Sequence, residues 1–268
     1  DTKISQKELI GTLNTVIFCP EDLQLIKGSP SGRRRFLDME ISQTSATYYH
    51  QLMQYNRLLQ QRNAVLKEYR GKNNIPLEEW DLQLADMASF IVKKRLESLK
   101  KINLLIDLMN RKLTGGLENL TIGYEQPYMD NGSLEYTKEG FYERIKAALP
   151  QDRHRLTTSV GPHRDDLRFF SDAMDLKKFG SQGQQRTAVL SLKLSELEFI
   201  KSEVGEYPVL LLDDVLSELD ESRRANLLQF IHKRIQTFIT TTDIHDFKDL
   251  KSVQFISCEG GQVQYGQP

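Results

Sequence analysis

Two aspartates stand side by side at the end of an apolar run in the last third of the chain. Residues 208–214 read PVLLLDD, so Asp213 and Asp214 follow the apolar residues directly. A run that is apolar on both faces predicts a central strand of a parallel sheet, and α/β proteins bind ligands at the carboxyl end of such strands. A carboxylate buried there needs a cation or hydrogen bonds, and Mg²⁺ on nucleotide phosphates would supply the cation.

The order of these two carboxylates matches the Walker B form of sites that hydrolyse nucleotides. In that form Asp213 would hold the metal, and Asp214 would orient or deprotonate the attacking water. The alternative interpretation is a strand that ends in a capped turn without a ligand.

The residues that follow strengthen the first interpretation. Ser217 and Asp220 come within the next few positions, in the string LLLDDVLSELD. Residues 238–243 read FITTTD, a predicted strand that ends in small polar side chains one βα unit further along. Thr242 and Asp243 are therefore suitably placed to sense a γ-phosphate.

Glycine and amide side chains crowd the start of a predicted helix at residues 181–186, which read SQGQQR. Ser181 and Gln184 form a capping box, in which two side chains satisfy backbone N–H groups at a helix N-terminus. Gly183 removes the side chain that would block a phosphate, and such a terminus is a ready anion site. A capped helix without a ligand would explain Ser181 and Gln184 but not the glycine. The candidate segment comprises Ser181, Gln182, Gly183, Gln184, Gln185 and Arg186.

These residues need elements that position them, and the C-terminal third alternates clearly between helix and strand. The pattern predicts a helix from Gln184 to about Lys201, a strand over Val209–Leu212, a helix from about Glu221 to Arg234 and a strand over Thr237–Thr241. This β-α-β rhythm implies a parallel sheet. Earlier in the chain, extended segments are predicted at 13–18, 119–124, 157–160 and 166–170, and a short helix over 140–149 that Pro150 closes.

A long helical reach is predicted from about Arg33 to Arg70, and a second from about Leu77 to Leu113. Apolar residues recur along both segments at steps of three and four, as in a heptad seam. Residues 71–76 (GKNNIP) break the pattern, so the two helices predict an antiparallel hairpin that forms a short arm. Arg62 and Arg95 interrupt the seam, and we expect them at its solvated edges.

Composition and charge exclude several classes of protein. Of the 268 residues, 39% are hydrophobic and 27% are charged, with a formal net charge of −1. No global field would draw such a chain to DNA or to an anionic membrane, so a nucleic-acid contact must be a local patch. Cys19 and Cys258 form no metal-binding spacing and are expected to be buried thiols in a reducing compartment. No apolar run could span a bilayer and no signal peptide opens the chain, so we expect a cytoplasmic protein.

Two local basic clusters are candidates for contact with DNA. Arg33, Arg34 and Arg35 form the denser one, at the start of the predicted arm. The second lies on the second arm helix and comprises Lys93, Lys94, Arg95, Lys100 and Lys101. Lys93 and Lys100 are seven positions apart and share a helix face, and Lys94 and Lys101 share the adjoining face. A DNA surface needs several phosphate contacts from one face. A solvated helix face is the alternative for the lysines, and the arginines could equally brace the head.

In their order along the chain, these motifs resemble the ATP-binding-cassette ATPases, and among them the SMC-like branch. SQGQQR is similar to the signature motif, LLLDD to Walker B, SELD to the D-loop and TTTD to the switch region. The resemblance implies that the signature helix touches the γ-phosphate of ATP bound to the other subunit of a head-to-head dimer. It also implies a Q-loop near the metal, for which Gln24 is one candidate and Glu21 with Asp22 the other.

Four strings carry a closer resemblance, to the RecF family of recombination-mediator ATPases. They are FCPEDLQLIKGSPSGRRRFLD, SVGPHRDDLRF, GSQGQQR and LLLDDVLSELD. The resemblance implies an ATP- and Mg²⁺-dependent homodimer, a weak DNA-dependent ATPase that binds double-stranded, gapped or junction DNA. It also implies cooperation with RecR and RecO in loading recombinase onto gaps, at the nucleoid and not at a membrane, in DNA repair, replication and the SOS response.

The resemblance implies an architecture as well. We expect an α/β fold in which an ATP-binding-cassette-type ATPase head, with a parallel or mixed sheet and helices, carries an antiparallel helical-hairpin arm. Residues 1–32 would be a remnant of ATPase lobe I with the Q-loop region. Residues 33–156 would form the arm or lobe II, as the hairpin 33–113 plus a small α/β extension. Residues 157–268 would form the head with the signature, Walker B, D-loop and switch.

One departure from the family pattern concerns phosphate binding. The Walker A loop, GxxxxGK[ST], does not occur in the sequence: Gly71-Lys72 is the only Gly-Lys pair, and Asn73 follows it. Without that backbone cradle and lysine, we expect this sequence to be part of a RecF protein without its N-terminal lobe, inactive alone. The alternative is a non-enzymatic DNA-binding or interaction module that uses the head as a scaffold. A nuclease built on the aspartate pair is disfavoured, because no further acidic or histidine cluster accompanies it.

Overall fold

The chain forms a helix-rich α/β fold with a small parallel sheet. Its computed structural model describes residues 11–72, 75–128, 136–242, 247 and 253–266. Over these residues the strands are β1 (Thr15–Phe18), β2 (Leu120–Glu125), β3 (Asp166–Ser171), β4 (Met174–Asp175), β5 (Val209–Asp213), β6 (Thr237–Thr240), β7 (Phe255–Glu259) and β8 (Gln262–Gly266). The helices are α1 (Gln24–Lys27), α2 (Pro30–Thr44), α3 (Ala46–Glu68), α4 (Glu78–Thr114), α5 (Lys138–Ala147), α6 (Leu149–Arg155), α7 (Leu176–Phe179), α8 (Gln182–Val204) and α9 (Glu221–Ile231).

The predicted parallel sheet is confirmed. Strand β5 lies at its centre, with β1 on one side and β6 on the other, and all three strands run parallel. Leu210 and Leu212 of β5 are buried, as expected for an apolar central strand. The register pairs Phe18 with Leu212 and Asp213 with Thr240. The carboxyl ends of the three strands therefore meet at one edge of the sheet.

The first predicted arm helix is wrong in one respect, because it is two helices. Ser45 separates α2 from α3 with an extended backbone at φ −146°, and its hydroxyl accepts a hydrogen bond from the Tyr48 N–H over 3.2 Å. Serine is a strong N-cap residue, since its side chain satisfies an orphan N–H of the new helix. The apolar seam begins at Tyr48, after the break, so its periodicity gave no information about the boundary at Ser45.

Helix α4 is the central element of the fold. It runs for 37 residues and ends at Gly115, whose φ of +68° is the usual left-handed C-cap of a helix. It packs against α3, α5 and α8, and buries Ala88, Ile102 and Ile106 completely or nearly so. The hairpin formed by α3 and α4 is therefore one side of a continuous core that also contains the predicted signature helix.

Two arginines expected at solvated edges are buried instead. Arg62 is fully enclosed: its Nε donates to Asp81 over 2.6 Å, and its Nη1 donates to Asp152 over 2.7 Å. Arg95 is also buried and binds both carboxylate oxygens of Asp38. The expectation was wrong because these acidic partners are 19 to 90 positions away in sequence, where helical periodicity gives no information.

Three smaller expectations are also corrected. Pro150 does not close a helix but lies in the first turn of α6, where a missing N–H costs nothing. Residues 157–160 form no strand. Cys258 is exposed rather than buried, and Cys19 is partly buried. Within the part of the chain that the structure describes, every helix falls short of the length and apolarity needed to span a bilayer.

Candidate functional site

One threonine of β6 holds the two aspartates at the carboxyl end of β5. Thr240 Oγ1 donates a hydrogen bond to Asp213 Oδ1 over 2.6 Å and accepts one from the Asp214 backbone N–H over 3.1 Å. The parallel register places Thr240 directly opposite Asp213, so the sheet itself builds this contact. Both aspartates are exposed, and Asp213 Oδ2 has no hydrogen-bond partner among the described residues. Sequence reasoning missed Thr240, although it opens the TTTD string.

The backbone turns sharply at Asp214. Its φ of +50° lies in the left-handed region, which aspartate tolerates better than most residues. Ser217 Oγ donates to the Asp214 carbonyl over 2.9 Å, and Asp220 caps α9 by accepting from the Arg223 N–H over 2.9 Å. The predicted D-loop residues thus fix the backbone of this turn. The Asp214 carboxylate makes no hydrogen bond within the described part of the chain and can bind water.

The predicted capping box at the start of α8 is present. Ser181 Oγ accepts from the Gln184 N–H over 3.2 Å, and Gln184 Oε1 accepts from the Ser181 N–H over 3.0 Å. The amide nitrogen of Gln184 donates in turn to Glu118 Oε1 over 3.0 Å. Neither Ser181 nor Gln184 is hydrogen-bonded to Asp213 or Asp214, so within one chain the structure does not join the two motifs.

The remaining signature residues divide between the surface and the core. Gln185 is buried and donates to the Leu176 carbonyl over 2.8 Å. Gln182, Gly183 and Arg186 are exposed on the outer side of the same turn. A Cβ added at Gly183 would meet nothing nearer than Ser181 Oγ at 3.9 Å. The fold therefore does not require this glycine, and the helix N-terminus stays accessible.

The segment after β1, where a Q-loop was expected, has an inward and an outward side. Asp22 is engaged at both oxygens: Oδ2 accepts from the Cys19 N–H over 2.9 Å, and Oδ1 lies 3.4 Å from Lys193 Nζ. Glu21 and Gln24 are exposed. Asp22 is thus held by the protein, and the two exposed side chains are better placed to reach a ligand.

The structure describes one of the two predicted switch residues. Thr242 follows β6 and is exposed. Asp243 lies outside the described residues. Among those described, no group of three or more histidine, cysteine, aspartate or glutamate side chains is arranged to hold a metal ion.

The arginine cluster divides into three environments. Arg33 is buried and binds both carboxylate oxygens of Asp166, over 2.7 and 2.9 Å. Arg34 is half-buried and donates to the Asp165 carbonyl over 2.7 Å, while Arg35 is exposed. Arg33 therefore braces the fold, as the alternative interpretation had it, and cannot reach DNA. Arg34 and Arg35 keep donors for another partner.

The lysines of α4 lie at the surface, but two of them have acidic partners. Lys94 pairs with Glu97 over 3.3 Å, and Lys101 pairs with Glu203 at the end of α8. Lys93 and Lys100 are exposed and form no salt bridge with a described residue. Exposed pairs of this kind contribute little to stability, so all four lysines remain candidates for phosphate contacts.

A turn that sequence reasoning left without a role, GPHRDD at residues 161–166, joins the arm to the rest of the fold. The Pro162 carbonyl accepts from Arg95 over 2.7 Å, and the His163 ring lies against the Tyr55 hydroxyl, with Nδ1 to Oη 2.6 Å. His163 Nε2 is 3.0 Å from a carbonyl, so Nε2 carries the proton and Nδ1 accepts. Burial lowers the pKa of His163 to about 4, which keeps the ring neutral.

A second buried cluster that the sequence did not reveal joins α8 to α2. Lys193 Nζ is 3.3 Å from Glu196 and close to Asp22, and Glu40 completes the group. Burial raises the pKa of Glu40 to about 7 and that of Glu196 well above its usual range, despite the attraction of the lysine. One cation faces three carboxyl groups, so the cluster holds protons near neutral pH.

Comparison with known proteins gives the chain its relatives, although no family model matches it. The DNA replication and repair protein RecF of Alkaliphilus oremlandii is 50% identical over 250 residues, which cover 92% of this chain and 68% of that protein. RecF of Halothermothrix orenii is 47% identical over 251 residues, covering 91% of this chain and 67% of that protein. For RecF of Halalkalibacterium halodurans the identity is 45% over 263 residues, with 96% of this chain and 71% of that protein covered.

Solved structures agree with these relatives. The recombination mediator protein RecF-ATPrS in the RecFOR pathway superposes with a TM-score of 0.87 at 37% identity, over 97% of this chain and 70% of that one. RecF-ATP in the same pathway gives a TM-score of 0.85 at 38% identity, over 96% of this chain and 69% of that one. Identity and fold agree over nearly the whole sequence, and the chain belongs to the RecF family.

Proposed function

We propose that this chain carries the partner-facing and metal-binding parts of an ATPase that acts in DNA repair. The observation that carries the proposal is the contact of Thr240 with both Asp213 and Asp214 at the carboxyl edge of the sheet. It fixes the Asp213 carboxylate by a hydrogen bond and leaves the Asp214 carboxylate without one among the described residues. Two carboxylates in different environments can serve different steps of one hydrolysis.

Asp213 fits a Mg²⁺ ion that is held largely by nucleotide phosphates. Such an ion uses one or two protein carboxylates and keeps water and phosphate oxygens as its other ligands. Thr240 fixes one oxygen of Asp213, which leaves Oδ2 to face the ion. When bound, Mg²⁺ would neutralise charge that develops on the transferred phosphoryl group.

Asp214 is suited to orient or deprotonate the attacking water. Hydrogen bonds to Thr240 and Ser217 fix the backbone of Asp214. Its exposed carboxylate therefore extends from a fixed point at the end of β5. A general base must lie within hydrogen-bond reach of the proton that it takes. Asp214 would therefore accept the proton of the attacking water, and the edge of the sheet would hold its carboxylate in place.

The N-terminus of α8 is suited to meet a nucleotide held by a second copy of the chain. Ser181, Gln182 and Gly183 are exposed, and the fold gives no reason for the glycine. Backbone N–H groups at a helix start attract phosphate. Each site would then be completed by the partner, so ATP closes a head-to-head homodimer.

The biological setting follows from the family. The RecF relatives are DNA replication and repair proteins, and the RecF structures belong to the RecFOR pathway. We propose that the ATP-closed dimer binds gapped or junction DNA at the nucleoid, in the cytoplasm. With RecR and RecO, it would help load recombinase onto single-stranded gaps, and ATP hydrolysis would time its release from DNA.

A mixing experiment tests the shared site. This chain is fused behind the Walker A segment of the RecF of Alkaliphilus oremlandii, and ATP turnover is measured for Asp214→Asn, for Ser181→Arg and for an equal mixture. Each variant alone should be inactive. In mixed dimers one of the two composite sites has neither defect, because the interface is isologous, so the mixture should regain part of the activity.

A matched control is Thr137→Ala, which removes the N-cap of α5 in the same way but far from the signature. Thr137 Oγ1 accepts from the Gly140 N–H over 3.1 Å, and its loss should leave turnover unchanged. A mixture as inactive as its components would contradict the shared site. Turnover unaffected by Asp214→Asn would favour the second candidate, a DNA-binding module that uses the head as a scaffold.

A further inference from the structure

A cavity of ≈ 600 Å³ lies between α2, α3 and α4, away from the sheet edge that carries Asp213 and Asp214. This volume is within the range of small-molecule sites. Its lining combines cationic, aromatic and amide side chains, among them Arg34, Arg35, Tyr49, Tyr55, Asn56 and His163. None of these residues belongs to the proposed ATPase site.

The charges that line the cavity leave it cationic. Arg95 and Asp38 also border it, but they bind each other through two hydrogen bonds of 3.0 and 2.9 Å and so cancel. Arg34 and Arg35 form no salt bridge with any described residue. Burial, together with repulsion from Arg95, lowers the pKa of Arg34. An anion in the cavity would stabilise the charged form of Arg34.

The other side chains add a flat apolar wall and polar groups without adding charge. Tyr49 is half-buried, and its hydroxyl makes no hydrogen bond within the described ranges. Asn56 is exposed, likewise with no side-chain partner among the described residues. His163 is neutral and has both ring nitrogens engaged, by Tyr55 and the Thr158 carbonyl. The cavity thus offers guanidinium donors on one side and an aromatic face with an amide on the other.

We propose that this cavity binds a nucleotide, with Arg34 and Arg35 on its phosphate and Tyr49 and Asn56 on its base. Guanidinium groups match phosphate oxygens in pairs of hydrogen bonds, and bases stack on aromatic rings whatever their sequence. The nucleotide comes either from an unpaired position of a DNA strand or from the free mononucleotide pool. The inference rests on the proposed DNA function only in naming a nucleotide as the phosphate-bearing ligand.

The test uses the chain itself and two probes that share this chemistry. Binding of dTMP is measured by calorimetry, and binding of a fluorescein-labelled oligo-dT by anisotropy. Arg35→Ala and Tyr49→Ala should each weaken binding by about tenfold, the size expected for one charge-assisted hydrogen bond or one stacked base. Arg57→Ala, an exposed arginine of α3 that does not line the cavity, is the matched control and should change neither probe.

The outcomes separate the sources and the alternatives. Weakening of oligo-dT alone identifies a DNA strand as the ligand, and weakening of dTMP alone identifies a free nucleotide. Equal effects from Arg35→Ala and Arg57→Ala would overturn the proposal, because the contact would then be general surface charge. Loss of dTMP binding in Asp214→Asn would also overturn it, by placing the ligand at the sheet edge; failure of the mixing experiment leaves this test unaffected.

Discussion

Arg62 is enclosed by groups from three other parts of the chain. Asp81 lies at the start of α4, Asp152 is in α6, and Thr158 follows it, and all three accept hydrogen bonds from the one guanidinium. Its Nη2 is completely buried and has no hydrogen-bond partner among the residues that the structure describes. A buried ion pair of this kind adds little net stability over an apolar replacement of the whole group, but the loss of one member is costly.

Replacement of Arg62 alone should therefore destabilise the protein strongly. We expect Arg62→Met to lower the free energy of unfolding by about 3–5 kcal/mol, because it leaves two carboxylates in the core without their cation. Arg57→Met, on the exposed side of the same helix, should change it by less than about 0.5 kcal/mol. Urea unfolding followed by circular dichroism measures both. Equal midpoints for the two variants would show that the buried network does not act as a unit.

Gly161 and Gly183 lie in different surroundings, so substitution by alanine should affect stability differently at the two positions. At Gly161, φ is +131° and an added Cβ would lie 2.3 Å from the Tyr55 hydroxyl, so Gly161→Ala should be strongly destabilising. At Gly183 the space is open. Gly183→Ala should leave the free energy of unfolding unchanged or raise it by up to about 1 kcal/mol. If Gly183 serves a partner's phosphate, the same substitution in the chain fused behind the Walker A segment should weaken ATP-dependent dimerisation, measured by light scattering. Unchanged dimerisation would leave this glycine without a ligand.

At the scale of elements, the buried cluster of Glu40, Lys193, Glu196 and Asp22 holds three segments together. Glu40 comes from α2, Lys193 and Glu196 come from α8, and Asp22 comes from the loop after β1. Two of its carboxylate oxygens, on Glu40 and Glu196, are buried without a hydrogen bond. The packing of α2 on α8 therefore depends on the protonation of this group.

That dependence predicts a pH effect with a definite sign. The pKa of Glu40 is raised from its usual 4.5 to about 7, so its stabilising contribution is complete below pH 4.5 and is lost as the pH rises through 7. Glu40→Gln imitates the protonated form. Near pH 4.5 this variant should unfold at the same urea concentration as the unsubstituted chain. At pH 8 it should unfold at a higher urea concentration than the unsubstituted chain. Glu21→Gln, which is exposed, is the control, and a constant difference at all pH values would contradict the assignment.

The positions of helices and strands were more predictable than the contact partners of individual side chains. The apolar run at 209–212, the capping box at Ser181 and the hairpin seam each report local spacing, and each appears where it was expected. The break at Ser45 was missed because the seam begins only at Tyr48 and its periodicity does not report where the helix starts. Arg62, Arg95 and Thr240 were misjudged or missed because their partners are distant in sequence and only the folded chain brings them close.

At the scale of the whole molecule, the parallel sheet joins distant parts of the sequence. Strand β1 pairs in parallel with β5 almost 200 positions later, so the segment predicted as a Q-loop and the two aspartates predicted as Walker B lie at the same edge of the sheet. The GPHRDD turn then ties that part of the chain to the arm through Arg33, Arg34 and Arg95. The α/β fold was predicted from motif order, whereas the division at residues 32 and 156 stays a prediction.

The length of α4 has a mechanical consequence. Near its start it is fixed to α3 through Asp81, and near its end it lies along α8, where Asn110 contacts Ser191. At about 1.5 Å per residue it extends for about 55 Å. In a helix of this length, a slight rotation at the end that lies on α8 would become a displacement of several ångströms at the other end. Under the proposed function, force that bound DNA applies to α3 and α4 would therefore reach α8, whose N-terminus is proposed to meet the nucleotide of a partner.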